Sequence, residues 1–234
     1  MKRIHKYQPV HKIASQIFKG ATLIRSLFNE GIRDYELSGD VLDLGSKSME
    51  SSYYKYIRVN DGCNITFTDL YESKGVAKVN VEERFPFEDE TFDMVIAFHL
   101  FEHVFDYQYS ASEIYRVLKP GGKFIVSVPF MHKYHADPDD YFRFTDSAVV
   151  RIWEDGGLRC ESINYIGEGI YSYFLTTMTR FRQAKYVLRP VQYFSYLIGT
   201  VIDRSINRVQ RKRKTDNKTI AQLYALEHIA VFVK

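Results

Sequence analysis

The sequence predicts an α/β protein built on a doubly wound, mostly parallel sheet. Two patterns carry the prediction. Short apolar runs of strand length alternate with stretches of helical periodicity over roughly residues 38–166, the order that builds parallel sheets through helical crossovers. The earliest of these runs, Asp40-Val41-Leu42-Asp43-Leu44, passes straight into the small-residue turn Gly45-Ser46. An acid at a strand's end with a glycine two positions on is a platform for a nucleotide-like ligand at the carboxyl edge of a sheet. The chain's 234 residues suit one large α/β domain or a domain with an insertion, and its 45% hydrophobic content suits a true core.

Taken in order, residues 9–34 read as helical. Val10, Ile13, Ile17, Leu23, Ile24, Leu27 and Phe28 recur at helical spacing, and Gly20 marks an interruption. Val41, Leu42 and Leu44 form a strand covered on both faces. Gly45 permits the turn that follows, and Ser46 and Ser48 keep it small and can cap a helix over 50–57. The run Ile65-Thr66-Phe67-Thr68-Asp69 is the next strand, and its terminal Asp69 is placed to accept hydrogen bonds from ribose hydroxyls. A third strand over 76–81 ends at Asn80. Beyond a loop holding Phe85-Pro86-Phe87 come a buried strand at 92–98, a helix over 100–118 and the stop Lys119-Pro120-Gly121-Gly122. A strand at 123–129, a helix at 147–153, a strand at 159–166 and a final strand at 228–233 complete the series.

Several of these segments together resemble the class I S-adenosylmethionine-dependent methyltransferases. They are Val41-Leu42-Asp43-Leu44-Gly45, Asp69, the run from Phe85 through Asp93, Glu102-His103-Val104, and Arg116-Val117-Leu118-Lys119-Pro120-Gly121-Gly122. The resemblance implies a Rossmann-like doubly wound sheet, mostly parallel, with an antiparallel last strand between the fifth and sixth. It implies S-adenosylmethionine as cofactor, held by Asp43, Gly45, Ser46, Asp69, Leu70, Asn80 and Val81, with His99 lining the site. One position departs from the family pattern: Lys47 stands where a second glycine is usual.

The loop from Phe130 to Thr145 contains His135-Ala136-Asp137-Pro138-Asp139-Asp140-Tyr141-Phe142-Arg143-Phe144-Thr145. It resembles the active-site loop of a methyltransferase branch associated with surface-polysaccharide biosynthesis. Lying just past a strand's carboxyl end, it is in the place where such sheets build sites. A hydroxyl acceptor must lose its proton as the methyl group arrives, and His135 is the expected general base. His132, Asp139, Tyr141 and Arg143 are the expected substrate contacts. A structural reading stands beside this one, with Arg143 paired to Asp139 or Asp140 to brace the loop and Thr145 capping the next helix. Cys63 and Cys160 form no disulfide framework, and no Cys or His spacing supports a metal site, so no metal is expected.

About sixty residues separate the strand at 159–166 from the last one, which marks a helical insertion. The expected organisation is an N-terminal helical segment at 1–37, a core of 38–168 and 226–234, and an aromatic and basic insertion at 169–225. Between Arg180 and Lys214 the chain carries ten Lys and Arg and the single acid Asp203. Three readings follow: helices that cover the protein's own core, an anionic membrane surface met through 169–214, and nucleic acid, the least favoured. No signal peptide or membrane span is expected, so the protein is read as cytoplasmic, and under the membrane reading of the insertion as peripheral at the inner membrane face. The expected reaction is methyl transfer to a hydroxyl of a glycan or lipid-linked sugar. RNA methylation and a non-catalytic cofactor-binding interaction protein are the alternatives.

Overall fold

The computed structural model of the protein describes residues 1–46, 48–71, 73–178, 189–213 and 218–234, with the side chains of 211–213 excepted. In chain order the elements are β1 (Lys2–Ile4), α1 (Val10–Phe18), α2 (Leu23–Gly31), β2 (Glu36–Leu37), β3 (Asp40–Leu44), β4 (Arg58–Val59), β5 (Asn64–Asp69) and β6 (Val76–Lys78). There follow β7 (Phe92–Phe98), α3 (Tyr107–Val117), β8 (Leu118–Pro129), α4 (Asp146–Asp155), β9 (Arg159–Ile166), α5 (Ile170–Met178), α6 (Arg189–Arg213), α7 (Ile220–Leu223) and β10 (Glu227–Val233). They form two compact units, one of residues 1–4, 33–164 and 228–234, the other of residues 5–32 and 165–227.

The first unit is organised by an eight-stranded sheet in the order β1-β9-β10-β8-β7-β3-β5-β6. β3 lies in the middle and pairs in parallel with β5 and β7. Its Val41, Leu42 and Leu44 are fully buried, as a strand covered on both faces requires. β10 runs antiparallel between β8 and β9, and Lys234 beyond its end exchanges main-chain hydrogen bonds with Gly121 and Gly122 of β8. On one face Trp153 of α4 packs edge-on against Phe101 and Phe124, at centroid distances of 4.7 and 4.8 Å. Such aromatic pairs add stabilisation beyond the area they bury.

The motifs of the sequence comparison prove to be fastenings of this sheet. Lys119 places its Nζ 3.2 Å from Asp40 and 2.9 Å from Asp93, and Asp93 accepts the Asp40 main-chain N–H at 2.8 Å. Arg116 donates to Glu113, to Asp89 and to the carbonyls of Phe85 and Phe87, so it pins the loop before β7 to α3.

The structure corrects several boundaries. The expected 1–37 helical segment begins with an edge strand, since β1 pairs in parallel with β9. Its last residues form β2, which pairs with β4. The helix expected over 50–57 is a single 3-10 turn, Ser52–Lys55. This stretch is rich in serine and tyrosine, poor helix formers, and the hydroxyls of Tyr53 and Tyr54 are drawn inward to Asp43. The helix expected over 100–118 starts only at Tyr107, where Asp106 caps it by accepting the Tyr109 N–H. Before it, Phe101–His103 makes a separate 3-10 turn. The strand expected over 76–81 stops at Lys78.

In the second unit α6 packs against α5 and α1. At Gly199 the approach to α5 is so close that a Cβ would meet the Ser172 backbone at 2.5 Å. Asp203, buried in α6, accepts the main-chain N–H groups of Tyr171 and Ser172 at 3.1 and 2.7 Å, and so caps α5 from a neighbouring helix. Arg204 forms a two-point pair with buried Glu168 at 2.6 and 2.9 Å, donates to the Gln8 carbonyl and lies over the Tyr7 ring. That cation of the insertion is thus engaged within its own unit. Arg180, Arg182, Lys185 and Lys214 lie outside the described residues. Replacing Asp203 by Ala should cost about 0.5–2 kcal/mol, the range for losing a helix cap, read as a lowered denaturation midpoint with helical content otherwise retained.

Candidate functional site

Parallel pairing puts the carboxyl ends of β6, β5, β3, β7 and β8 on one edge of the first unit. Asp43 is in register with Phe67, so Gly45 and Asp69 follow two residues later on neighbouring strands. Asp69 is in register with Lys78, which sets Asn80 two residues beyond it. Ala97 is in register with Leu44, and His99 comes two residues later. The residues assigned to the cofactor from sequence therefore form a row along one edge.

Each has local partners. Gly45 has φ +81, in the left-handed region, and a Cβ there would meet the Leu100 side chain at 3.2 Å. Ser46 is buried, its hydroxyl 3.0 Å from that of Ser51. Asp69 accepts the Tyr71 N–H at 3.1 Å, and Leu70 beside it is exposed. Asn80 accepts the Glu82 N–H and donates to Glu83, while the Val81 carbonyl accepts the Ser110 hydroxyl. His99 also has a left-handed backbone, φ +53, uncommon for a residue with a side chain. Lys47 lies outside the described residues.

Asp43 is completely buried. Its Oδ2 accepts both the Tyr53 and Tyr54 hydroxyls at 2.5 Å, and its Oδ1 makes no hydrogen bond. Burial raises its pKa to about 6, with the tyrosine hydrogen bonds pulling the other way. Sequence reasoning missed Tyr53 and Tyr54. The one signal for them was the tandem of two aromatic residues in a stretch with little helical pattern.

The loop after β8 is built around Glu102 and Arg143. The Glu102 main-chain carbonyl accepts the N–H groups of Tyr141 and Phe142 at 2.8 and 3.3 Å. Arg143 pairs with buried Asp140 through both guanidinium nitrogens at 2.5 and 2.7 Å, and donates to the carbonyls of His132, Lys133 and Phe142. Its donors are engaged in bracing, the structural role weighed for it, and the guanidinium beside Asp140 holds that carboxyl far below the usual range. Thr145 accepts the Ala148 N–H and caps α4, as that reading expected. Asp139 accepts the hydroxyl of half-exposed Tyr141 at 3.0 Å.

His135 projects from this loop toward Glu102, with Nε2 3.5 Å from Oε1, an ion-pair distance rather than a hydrogen bond. His103 approaches the same oxygen at 3.9 Å. Burial opposes the Glu102 charge, but His135, His99 and His103 outweigh it and keep the carboxyl below its ordinary pKa. Glu102 in turn raises that of His135. His132, its ring centroid 4.2 Å from that of His135, is pushed down to about 4, first by burial and then by His135, His99 and Arg143. It is therefore neutral near pH 7. Glu102, His103 and His135 each bring one ligand atom within 4.8 Å of the others. Sequence spacing, which supported no metal site, could not reveal this group, because His135 reaches it from another loop.

Asp43 sets a pH dependence. Its folded pKa lies above that of a free carboxyl, so its contribution to stability is complete below about pH 4 and is lost as pH rises through about 6. A shift of this size corresponds to about 3 kcal/mol. Asp43→Asn keeps an acceptor for the tyrosines without the charge. The stability of this variant relative to the parent should rise by up to that amount between pH 4 and pH 7 in denaturant titrations.

Residues 46–126 match the family model described as a methyltransferase domain. Over 91 residues the chain is 30% identical to the sterol 4-C-methyltransferase strm-1 of Caenorhabditis elegans, a match covering 39% of this chain and 24% of that protein. Over 44 residues it is 46% identical to a probable S-adenosylmethionine-dependent methyltransferase of Mycolicibacterium smegmatis, covering 19% of this chain and 17% of that one. The chain thus spans about a quarter or less of the curated relatives it matches. A SAM dependent methyltransferase from Archaeoglobus fulgidus superposes with a TM-score of 0.55 at 16% identity, over 94% of this chain and 97% of that one. At that identity the likeness carries the fold alone. The chain thus has the fold of the class I S-adenosylmethionine-dependent methyltransferases, and its residues 46–126 match the family model of a methyltransferase domain.

Proposed function

We propose that the protein transfers a methyl group from S-adenosylmethionine to a hydroxyl oxygen of a polar acceptor, a glycan or lipid-linked sugar. The observation that supports this most is that the Gly45–Asp69–Asn80 row and the acid–imidazole cluster of Glu102, His103 and His135 both follow the carboxyl ends of parallel strands of one sheet. When bound, S-adenosylmethionine supplies a methyl group on a positively charged sulfonium. The residues present fit it on two counts. Asp43 offers a buried carboxylate oxygen that no protein group satisfies, a counter-charge for an ammonium. Gly45 leaves free the space beside Leu100 that a side chain would take.

In this reading Asp69 and Leu70 hold the ribose, Asn80 and Val81 lie beside the adenine, and Ser46 and His99 line the methionine end. His135 is the member of the cluster assigned to the acceptor's oxygen, from which it draws the proton. His132, Asp139 and Tyr141 border the acceptor, and Arg143 keeps their loop in shape. Incubation with isotope-labelled cofactor and candidate sugar acceptors should give a product heavier by one methyl group. Asp69→Ala should weaken cofactor binding by roughly 1.5–3 kcal/mol, the worth of hydrogen bonds to a charged group. His135→Ala should leave that binding intact and lower turnover by about 10²–10⁴. Unchanged cofactor affinity in a folded Asp69→Ala protein would remove that residue from the assignment.

We also propose that the second unit meets an anionic membrane surface. Along α6, Phe194, Ile198 and Val201 recur at helical spacing and are 60%, 57% and 67% exposed, and Phe174 and Met178 of α5 are exposed as well. Arg208 on α6 is exposed, and 211–214 adds four cations in sequence. Among the described residues no helix is long and apolar enough to cross a membrane, so this contact would be interfacial. The protein should sediment with anionic but not neutral vesicles. Salt should weaken the binding, as should Gln in place of Arg211, Lys212, Arg213 and Lys214, each cation being worth about 1 kcal/mol near such a surface. A protein that stays in the supernatant with anionic vesicles at low salt has no such surface.

A further inference from the structure

We infer that Glu102, His103 and His135 form a binding site for a divalent transition-metal cation of the zinc type. Four observations converge on it. The Glu102 side chain is fully buried, and neither of its carboxylate oxygens makes a hydrogen bond. A buried carboxylate that makes no hydrogen bond and is faced only by imidazoles at 3.5 and 3.9 Å is costly, and a cation held between them removes the cost.

The two imidazoles present the correct atoms. His103 Nδ1 lies 2.5 Å from the Asp139 carbonyl, and His135 Nδ1 lies 3.0 Å from the Lys133 carbonyl. A carbonyl oxygen only accepts, so His103 Nδ1 carries the hydrogen and donates it; at His135 the 3.0 Å carbonyl contact assigns the hydrogen to Nδ1 over the longer 3.4 Å approach of Arg143 Nη2. In the neutral ring each Nε2 then holds a lone pair, and both point at Glu102 Oε1, itself an acceptor. Three acceptors facing one another call for a positive charge between them.

The spacing suits a metal. Bonds of about 2.0–2.2 Å at tetrahedral angles hold ligand atoms about 3.3–3.6 Å apart. The two Nε2 atoms stand 3.5 and 3.9 Å from Oε1, and all three ligand atoms lie within 4.8 Å of one another, so contraction of the longest separation by about 1.5 Å or less closes the set. Two imidazoles and one carboxylate are also a donor set that zinc uses where a coordination position stays open. Imidazole donors favour zinc, cobalt and similar ions over magnesium or calcium.

The outer partners are those of a metal centre. Ligating histidines almost always donate their other ring N–H to a carbonyl or carboxylate, which fixes tautomer and ring orientation. Both rings do so here, to carbonyls of one loop, and Arg143 holds that loop by donating to the Lys133 carbonyl as well. His132 lies against the His135 ring without joining the group of three.

The site stands on this geometry, independently of the methyl-transfer reading. Only one consequence rests on that reading. Partly exposed His135 opens the site to solvent, so the free coordination position would receive the acceptor's oxygen; the ion would lower the pKa of that hydroxyl, its proton would pass to solvent water, and His135 would serve as a ligand in place of a base.

The full-length protein, stripped with chelator, is titrated with Co²⁺ and followed by its visible d–d absorption, and then with Zn²⁺ in calorimetry. One saturable equivalent per chain is expected, with tetrahedral or five-coordinate cobalt bands that Zn²⁺ abolishes. His103→Ala, His135→Ala and Glu102→Gln should each weaken binding by at least about 100-fold, beyond the roughly 10–100-fold that loss of an outer partner costs. His11→Ala, an exposed histidine on α1, should change nothing. Thermal melts of each variant separate a lost ligand from a lost fold, and the more exposed His135 keeps the test valid if Glu102→Gln does not fold. Absence of a stoichiometric site in the parent, or binding unchanged in folded His103→Ala and His135→Ala, would overturn the inference. Metal binding without methyl transfer would retain the site and reject the acceptor role.

Discussion

The constraint on which the first unit depends is the parallel pairing of its central strands. Parallel ladders force every crossover to return to the same starting edge, so the carboxyl ends of five neighbouring strands finish side by side. A turn glycine, a strand-end acid, an asparagine and a histidine far apart in sequence thereby reach one edge, two residues past successive register pairs. Main-chain hydrogen bonding does this without help from the side chains concerned, which frees them for chemistry. The salt links of Lys119 and Arg116 secure this geometry from elsewhere in the unit, with Lys119 tying the first residue of β3 to β7.

The loop after β8 works on another principle. It has no ladder, and its form comes from charge. Arg143 satisfies Asp140 and three carbonyls, Asp140 also accepts the His135 N–H, and the Glu102 carbonyl accepts two amides of the same loop. A loop tied in this way holds His135 where a purely flexible segment could not, and prior positioning of a reacting or binding group is worth far more than its presence alone. The same ties make the loop sensitive to any change at Arg143, although this residue has every donor turned inward.

The sheet was legible in sequence because burial on both faces leaves continuous apolar runs, as in β3 and β7, and because proline and glycine mark where α3 gives way to β8. The edge strand β1 was not legible. Three exposed residues, two of them basic, leave no apolar signal, and their pairing with β9 joins positions 160 residues apart. The turn at Ser52–Lys55 was read as a helix because nothing local reveals that Tyr53 and Tyr54 are held by a buried acid ten residues earlier. For the site, the strand-end residues could be placed one by one, whereas the cluster around Glu102 could not. Its three members come from a 3-10 turn and a loop more than thirty residues apart, and only the folded chain closes that gap. At Arg143 the sequence left two roles open, substrate contact and loop brace, and its donors are taken up by ties within the loop.

The capping of α5 by Asp203 bears on how the second unit presents its surface. A helix of nine residues is too short to persist alone in water, because nucleation is unfavourable and its first amides lack partners. Here a carboxylate from α6 fills that role, and the contact at Gly199 draws the two backbones together. The exposed Phe174, Phe194 and Ile198 are therefore mounted on a finished frame. An amphipathic segment that folds only on contact gives up much of its gross affinity to its own ordering. A frame completed beforehand is spared that loss, so even a modest apolar face can act as a reversible foothold, quick to engage and quick to release.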